Sequence, residues 1–122
     1  MNYYVNRKDM AEKVDRVLYR HAYDDIYTLD DIVKAVHQGS MQSFVNGDTW
    51  AVTQVIEFPQ KKVLEIAFVI GKIEDAVELL PKIYEFAKSV GATRVTGFGR
   101  EGWGKFLAPG WKEVGTMYAK EL

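Results

Sequence analysis

Lys62-Val63-Leu64-Glu65-Ile66-Ala67-Phe68-Val69-Ile70-Gly71 decides the fold of this chain. From Val63 to Ile70 every residue except Glu65 is apolar. Such a run suits a strand covered on both faces, and therefore a central one. Gly71 marks a switch to a long helix. Ala76, Val77, Leu79, Leu80, Ile83, Tyr84, Phe86, Ala87 and Val90 then recur at helical spacing and form its apolar face. Gly91 ends it. Pro81 lies inside the run and predicts a kink or the start of a second helix, because proline withdraws one backbone donor. Residues 93–98 read as the next strand. Two strands joined by a helical crossover run parallel in one sheet.

Upstream of this unit the pattern changes to a meander. In residues 49–58, Trp50, Val52, Gln54 and Ile56 alternate with Ala51, Thr53, Val55 and Glu57, which is the period of a strand. Pro59-Gln60-Lys61 turns the chain into the central strand. Asn46-Gly47-Asp48 is a hairpin signal, since Asn-Gly readily adopts positive φ, and residues 41–45 form a short strand before it. Further back, Thr28 and Asp31 are spaced as a capping box. Ile32, Val33 and Val36 form the stripe of that helix, and Gly39-Ser40 ends it. An earlier helix spans residues 6–21, with Met10, Val14, Val17, Leu18 and His21 on one face. Downstream, residues 101–107 read as a short helix. Pro109-Gly110 breaks the chain, and residues 113–122 read as a closing strand.

Composition limits the chemistry. The chain has 122 residues, 48% of them hydrophobic, enough for one ordinary domain with a real core. Sixteen Lys and Arg face seventeen Asp and Glu, for a net charge of -1. Residues 1–40 carry six basic and seven acidic groups, so there is no polybasic arm for nucleic acid or anionic lipid. Cysteine is absent, which removes disulfides, thiolate metal sites and cysteine nucleophiles. Two separated histidines do not make a multi-histidine metal site. No apolar run approaches the roughly 20 residues of a membrane span. The N-terminus lacks a basic-then-apolar signal pattern. The expectation is a cytoplasmic single domain over residues 1–122, with neither nucleic acid nor membrane as partner.

This order of elements resembles the GNAT acyltransferase superfamily, best from Thr49 onward. The resemblance implies an α/β (α+β) domain with a mixed, GNAT-like sheet. Its parts would be two N-terminal helices, a three-strand antiparallel meander, a long crossover helix, a parallel strand, a short helix and a closing strand. Gly110-Trp111 resembles the family's glycine–aromatic pair before that last strand. Four fragments are similar to small bacteriophage and prophage proteins with a GNAT-like fold, most of them without an assigned activity. They are Thr28-Leu29-Asp30-Asp31-Ile32-Val33, Ala51-Val52-Thr53-Gln54-Val55-Ile56, Leu80-Pro81-Lys82-Ile83 and Gly99-Arg100-Glu101-Gly102-Trp103.

The resemblance places acyl-coenzyme A at Ile70, Gly71 and Lys72, where the superfamily cradles pyrophosphate on backbone amides at a helix start. The family's loop is Gln/Arg-x-x-Gly-x-Gly/Ala. Here it reads Gly71-Lys72-Ile73-Glu74-Asp75, with one glycine and two acids that oppose the phosphates. The tyrosine that the family often places four residues before its glycine–aromatic pair is Phe106 here, which has no proton to give. These departures point to a GNAT-like phage or prophage protein without conventional acetyl transfer, acting as a binding or assembly module. The alternative is a divergent acyl-coenzyme A-dependent N-acyltransferase.

Individual residues carry the rest. Glu65, a carboxylate in an apolar strand, is the candidate catalytic base; the alternative is an exposed position set by the period of two. Thr53 and Gln54 lie on the neighbouring strand, and one of them should face the cleft. Arg100, Trp103 and Lys105 follow the end of a parallel strand, where α/β sheets bind ligands. They make a candidate cleft or partner surface, or simply an ion pair and a packed aromatic. Gly97-Phe98-Gly99-Arg100-Glu101-Gly102 spells a dinucleotide fingerprint, but too little chain follows for a full βαβ unit of roughly 30 residues. Exposed edge strands allow a homodimer, and a phage or host protein is the other expected partner, with a virion-associated location in that case.

Overall fold

The computed structural model describes residues 26–97, 110–116 and 118–122. The helix expected at residues 6–21 and the short helix at residues 101–107 lie outside them. Helix α1 is Leu29–Gln38, followed by strands β1, Gln42–Asn46, β2, Thr49–Glu57, and β3, Lys62–Ile70. Helix α2, Ile73–Ser89, then leads to strand β4, Arg94–Gly97. The sheet order is β1-β2-β3-β4, with the first two pairings antiparallel and β3–β4 parallel.

Local chemistry explains the boundaries. The Thr28 hydroxyl accepts from Asp31 N at 3.2 Å, and the Asp31 carboxylate accepts from Thr28 N at 3.0 Å. This capping box satisfies donors that the first turn of α1 would otherwise leave open. The donation from the Thr28 backbone, helped by the Thr28 side chain and Lys34, holds the Asp31 carboxyl below its ordinary range. Asn46 pairs with Thr49 across the hairpin, so Gly47 and Asp48 form a two-residue turn, and Gly47 has φ 58°. After α2, Gly91 takes φ 83°, Ala92 N donates to Ala87 O at 2.9 Å and Gly91 N to Lys88 O at 3.1 Å. That paired arrangement closes the helix.

The two helices cover opposite faces of the sheet. On one face Ile32 of α1 packs with Met41, Trp50, Val52, Ala67, Phe68 and Ile70. On the other, Leu79, Leu80, Ile83 and Ala87 of α2 pack with Phe44, Ala51, Leu64 and Ile66. Fully burying one such side chain stabilises by about 1.5–3 kcal/mol. β3 therefore occupies the doubly covered position its apolar run predicts. Lys62 fixes the start of β3 to the end of α2: its Nζ donates to Val90 O at 3.0 Å and pairs with Glu57 at 3.4 Å.

Two expectations change. α2 runs through Pro81 as one 17-residue helix, so no second helix begins there. Pro81 lies on the exposed side, where water can meet the carbonyl it leaves unpaired. The closing strand expected at residues 113–122 does not form among the described residues, which join no ladder and are exposed. A period of two produces a strand only where a neighbour supplies the hydrogen bonds. Here Trp111 instead docks on α2, its Nε1 donating to the Tyr84 hydroxyl at 2.6 Å.

Candidate functional site

The site is built around an irregularity in β3. Val52 pairs with Phe68 but Thr53 pairs with Ile66, so Ala67 has no residue opposite it on β2. An unmatched residue of this kind bends a strand and resets which face its neighbours occupy. Phe68 and Ile70 consequently face α1, while Ile66 and Leu64 face α2. Glu65 falls on the α1 side, directly across from Gln54.

Gln54 Nε2 donates to Glu65 Oε1 at 2.9 Å, and both side chains are half-buried. The structure thus brings together two of the residues singled out from sequence. The amide holds the carboxylate in one orientation. Thr53 is elsewhere. It is fully buried on the α2 side, beside Ala51, and donates to Gln42 Oε1 at 2.9 Å. A hydroxyl committed in this way braces β1 to β2 and does not share a cleft with Glu65.

The carboxyl ends of the parallel strands form the second part of the site. β3 and β4 pair from Val63–Arg94 to Ile66–Gly97, and β3 continues to Ile70. Among the described residues, the end of β3 has no neighbour on the β4 side. Gly71 and Lys72 follow at once and lead into α2. Gly71 takes φ 124°, and a Cβ there would lie 2.8 Å from Thr49 Cα. Thr49 is completely buried beneath it. Its hydroxyl accepts from Lys72 N at 3.0 Å and donates to Asp75 Oδ2 at 3.3 Å. Asn46 Nδ2 donates to Asp75 O at 3.1 Å and to Glu78 Oε2 at 3.0 Å. The β1–β2 hairpin is thereby fastened to the first turns of α2, which carry Glu74 and Asp75.

This fastening escapes a sequence reading. Asn46 and Thr49 read there as turn and strand residues, and only their return to α2 about 26–32 positions later gives them a partner. Ile70 is buried against α1 and turns its side chain away from the helix start. Lys72 is exposed and makes no side-chain cap. Arg100, Trp103 and Lys105 lie outside the described residues, as does Phe106. No cluster of three or more His, Cys, Asp or Glu that could hold a metal ion occurs among the described residues. No described helix is long and apolar enough to cross a membrane.

Comparison with solved structures places the architecture. The fold is GNAT-like. A protein described as a probable acetyltransferase superposes with a TM-score of 0.58 at 11% identity, covering 93% of this chain and 92% of its own. TTHA1254 of Thermus thermophilus gives 0.61 at 13% identity over 100% of both chains. A tetramutant of BH1408 from Bacillus halodurans gives 0.56 at 12% identity, over 93% and 94%. No protein-family profile and no curated protein sequence matches the chain. At such identities the likeness concerns the fold, and one fold hosts many functions.

Proposed function

We propose that this chain is a GNAT-shaped binding or assembly module and not a conventional acetyltransferase. The observation that carries the reading is the acidic start of α2, whose Lys72 N–H is already committed to Thr49. A pyrophosphate needs backbone N–H donors and a positive field at a helix N-terminus. Here the Lys72 N–H already donates to Thr49, the Thr49 hydroxyl points to the Asp75 carboxylate, and Glu74 adds a second negative charge in the same turn. The residues present do not fit a pyrophosphate. The narrower part of the proposal, a phage or prophage protein whose partner is a phage or host protein, is supported by the four sequence fragments alone.

The second reading, a divergent acyl-coenzyme A-dependent N-acyltransferase, is favoured by one observation. Glu65 is a half-buried carboxylate oriented by Gln54 in the strand that leads to Gly71. Calorimetric titration with acetyl-coenzyme A, beside a thermal shift, separates the two. The module reading expects neither heat nor a shift at millimolar ligand. Micromolar binding with the stabilisation that linkage requires would overturn it, and loss of that binding in Lys72→Ala would place the ligand at the start of α2.

A further inference from the structure

Of the three asparagines in the chain, Asn2, Asn6 and Asn46, only Asn46 precedes a glycine. It stands at the tip of the β1–β2 hairpin. Asn46 and Thr49 are the last pair of that ladder, so Gly47 opens the turn with its nitrogen beyond the ladder. Gly47 takes φ 58°, is exposed, and carries no Cβ to screen that nitrogen. Tyr3 and Arg7, which follow the other two asparagines, both carry side chains that do.

The same side chain fastens the hairpin to α2. Asn46 Nδ2 donates to Asp75 O at 3.1 Å and to Glu78 Oε2 at 3.0 Å. Both contacts use the hydrogens of the amide, and an ionised carboxylate in its place has none to give. Its oxygens would face the Asp75 carbonyl and the Glu78 carboxylate, beside a turn that already carries Glu74 and Asp75. A negative charge placed next to acidic groups disrupts by like-charge repulsion what the amide held together.

We infer that Asn46 is a self-modifying site, whose conversion to aspartate or isoaspartate unfastens the β1–β2 hairpin from α2. The reaction needs water and no other reagent. The Gly47 backbone nitrogen gives up its proton and bonds to Asn46 Cγ. The Cγ–Nδ2 bond breaks, and the amide nitrogen leaves as ammonia. Water then opens the cyclic imide. Breaking the new bond at Cγ gives aspartate in an ordinary main chain. Breaking the bond at the main-chain carbonyl carbon gives isoaspartate, with the chain running through the side-chain carbon. One water is taken up, one ammonia is lost, and nothing is oxidised or reduced. Isoaspartate lengthens the main chain next to Gly47, so it also disturbs the Asn46–Thr49 pair. The hydrogen bonds to Asp75 and Glu78 hold the leaving nitrogen, so the rate follows how often the hairpin lifts from α2.

The test incubates the protein in mildly alkaline buffer without denaturant and follows each asparagine-bearing peptide by mass spectrometry. The Asn46 peptide should gain the mass of an amide-to-acid exchange and split into two isomers, one of them a substrate for an isoaspartyl methyltransferase. The Asn2 and Asn6 peptides should stay unconverted over the same time. Glu78→Ala should speed conversion by about 2- to 10-fold, the worth of one hydrogen bond. Glu85→Ala, an exposed carboxylate further along α2, should not change the rate. Asn46→Asp makes one product directly and should unfold at a lower urea midpoint than the parent. Asn46 intact in the folded protein, after a free peptide of residues 43–50 has converted fully, would overturn the site. An Asn46→Asp variant as stable as the parent would overturn the unfastening, and a rate unmoved by Glu78→Ala would overturn the restraint by α2.

Discussion

Thr49 lies directly beneath Gly71, close enough that a Cβ on residue 71 would stand 2.9 Å from Thr49 Cβ and 2.8 Å from its Cα. The contact joins the start of β2 to the turn before α2, and the Thr49 hydroxyl completes it through Lys72 N. Gly71→Ala therefore meets two penalties, a φ of 124° and a clash with backbone. It should cost about 2–4 kcal/mol, read as a lower urea midpoint at unchanged slope. Thr49→Val keeps the shape but strands the Lys72 N–H, and should cost about 1–3 kcal/mol. Thr49→Ser should recover part of that loss.

Acid should weaken α1 through Asp31. Its folded pKa lies below the ordinary 3.8 because Thr28 donates to the charged form. A lowered folded pKa means that the unfolded chain takes the proton first. The contribution is therefore fully present above 3.8 and is lost as pH falls through that value and past the lowered one. Asp31→Asn should lower stability slightly near neutrality, where the contribution is present, and change it little in strong acid, so that this part of the acid limb disappears from a stability-versus-pH series. A limb of unchanged depth would show that Asp31 does not contribute to it.

What could be read in the sequence was local. Thr28 and Asp31 sit three residues apart and cap each other, Gly47 supplies its own turn, and the run from Val63 to Ile70, apolar but for Glu65, reads as central because both its faces are largely apolar. The α2 stripe also holds, from Ala76 to Val90. The unmatched Ala67 could not be read, since no residue type there announces that one position in β3 lacks an opposite. Yet it decides that Glu65 meets Gln54 and shares a face with Phe68. The closing strand failed for a related reason: alternation shows a capacity to pair, and the partner comes from elsewhere. Thr49 and Asp75 joined through a fold contact between distant segments, which spacing does not reveal.

The C-terminal segment should be released by a small change on α2. Tyr84→Phe removes the acceptor for Trp111 Nε1 while keeping the ring. Leaving that N–H unpaired should cost about 1–3 kcal/mol, and most of the effect should be local. Trypsin cleavage after Lys112 should become faster in the variant, with little change in the unfolding midpoint of the sheet. An equal rate in the two proteins would mean that packing of the Trp111 ring alone holds the segment.

Glu65 and Gln54 allow a test of whether the site is an independent unit. They face each other across β2 and β3, and the amide donates to the carboxylate at 2.9 Å. Facing pairs of this kind contribute roughly 0.2–1 kcal/mol, and the coupling appears only when both partners are varied. A cycle of Gln54→Leu, Glu65→Leu and the double variant should give coupling in that range. The single Gln54→Leu should be the worse of the two, because it leaves a half-buried carboxylate without its amide donor, whereas Glu65→Leu leaves an amide that water can reach. If the two changes simply add, the hydrogen bond does not orient Glu65, and the observation favouring the acyltransferase reading disappears with it.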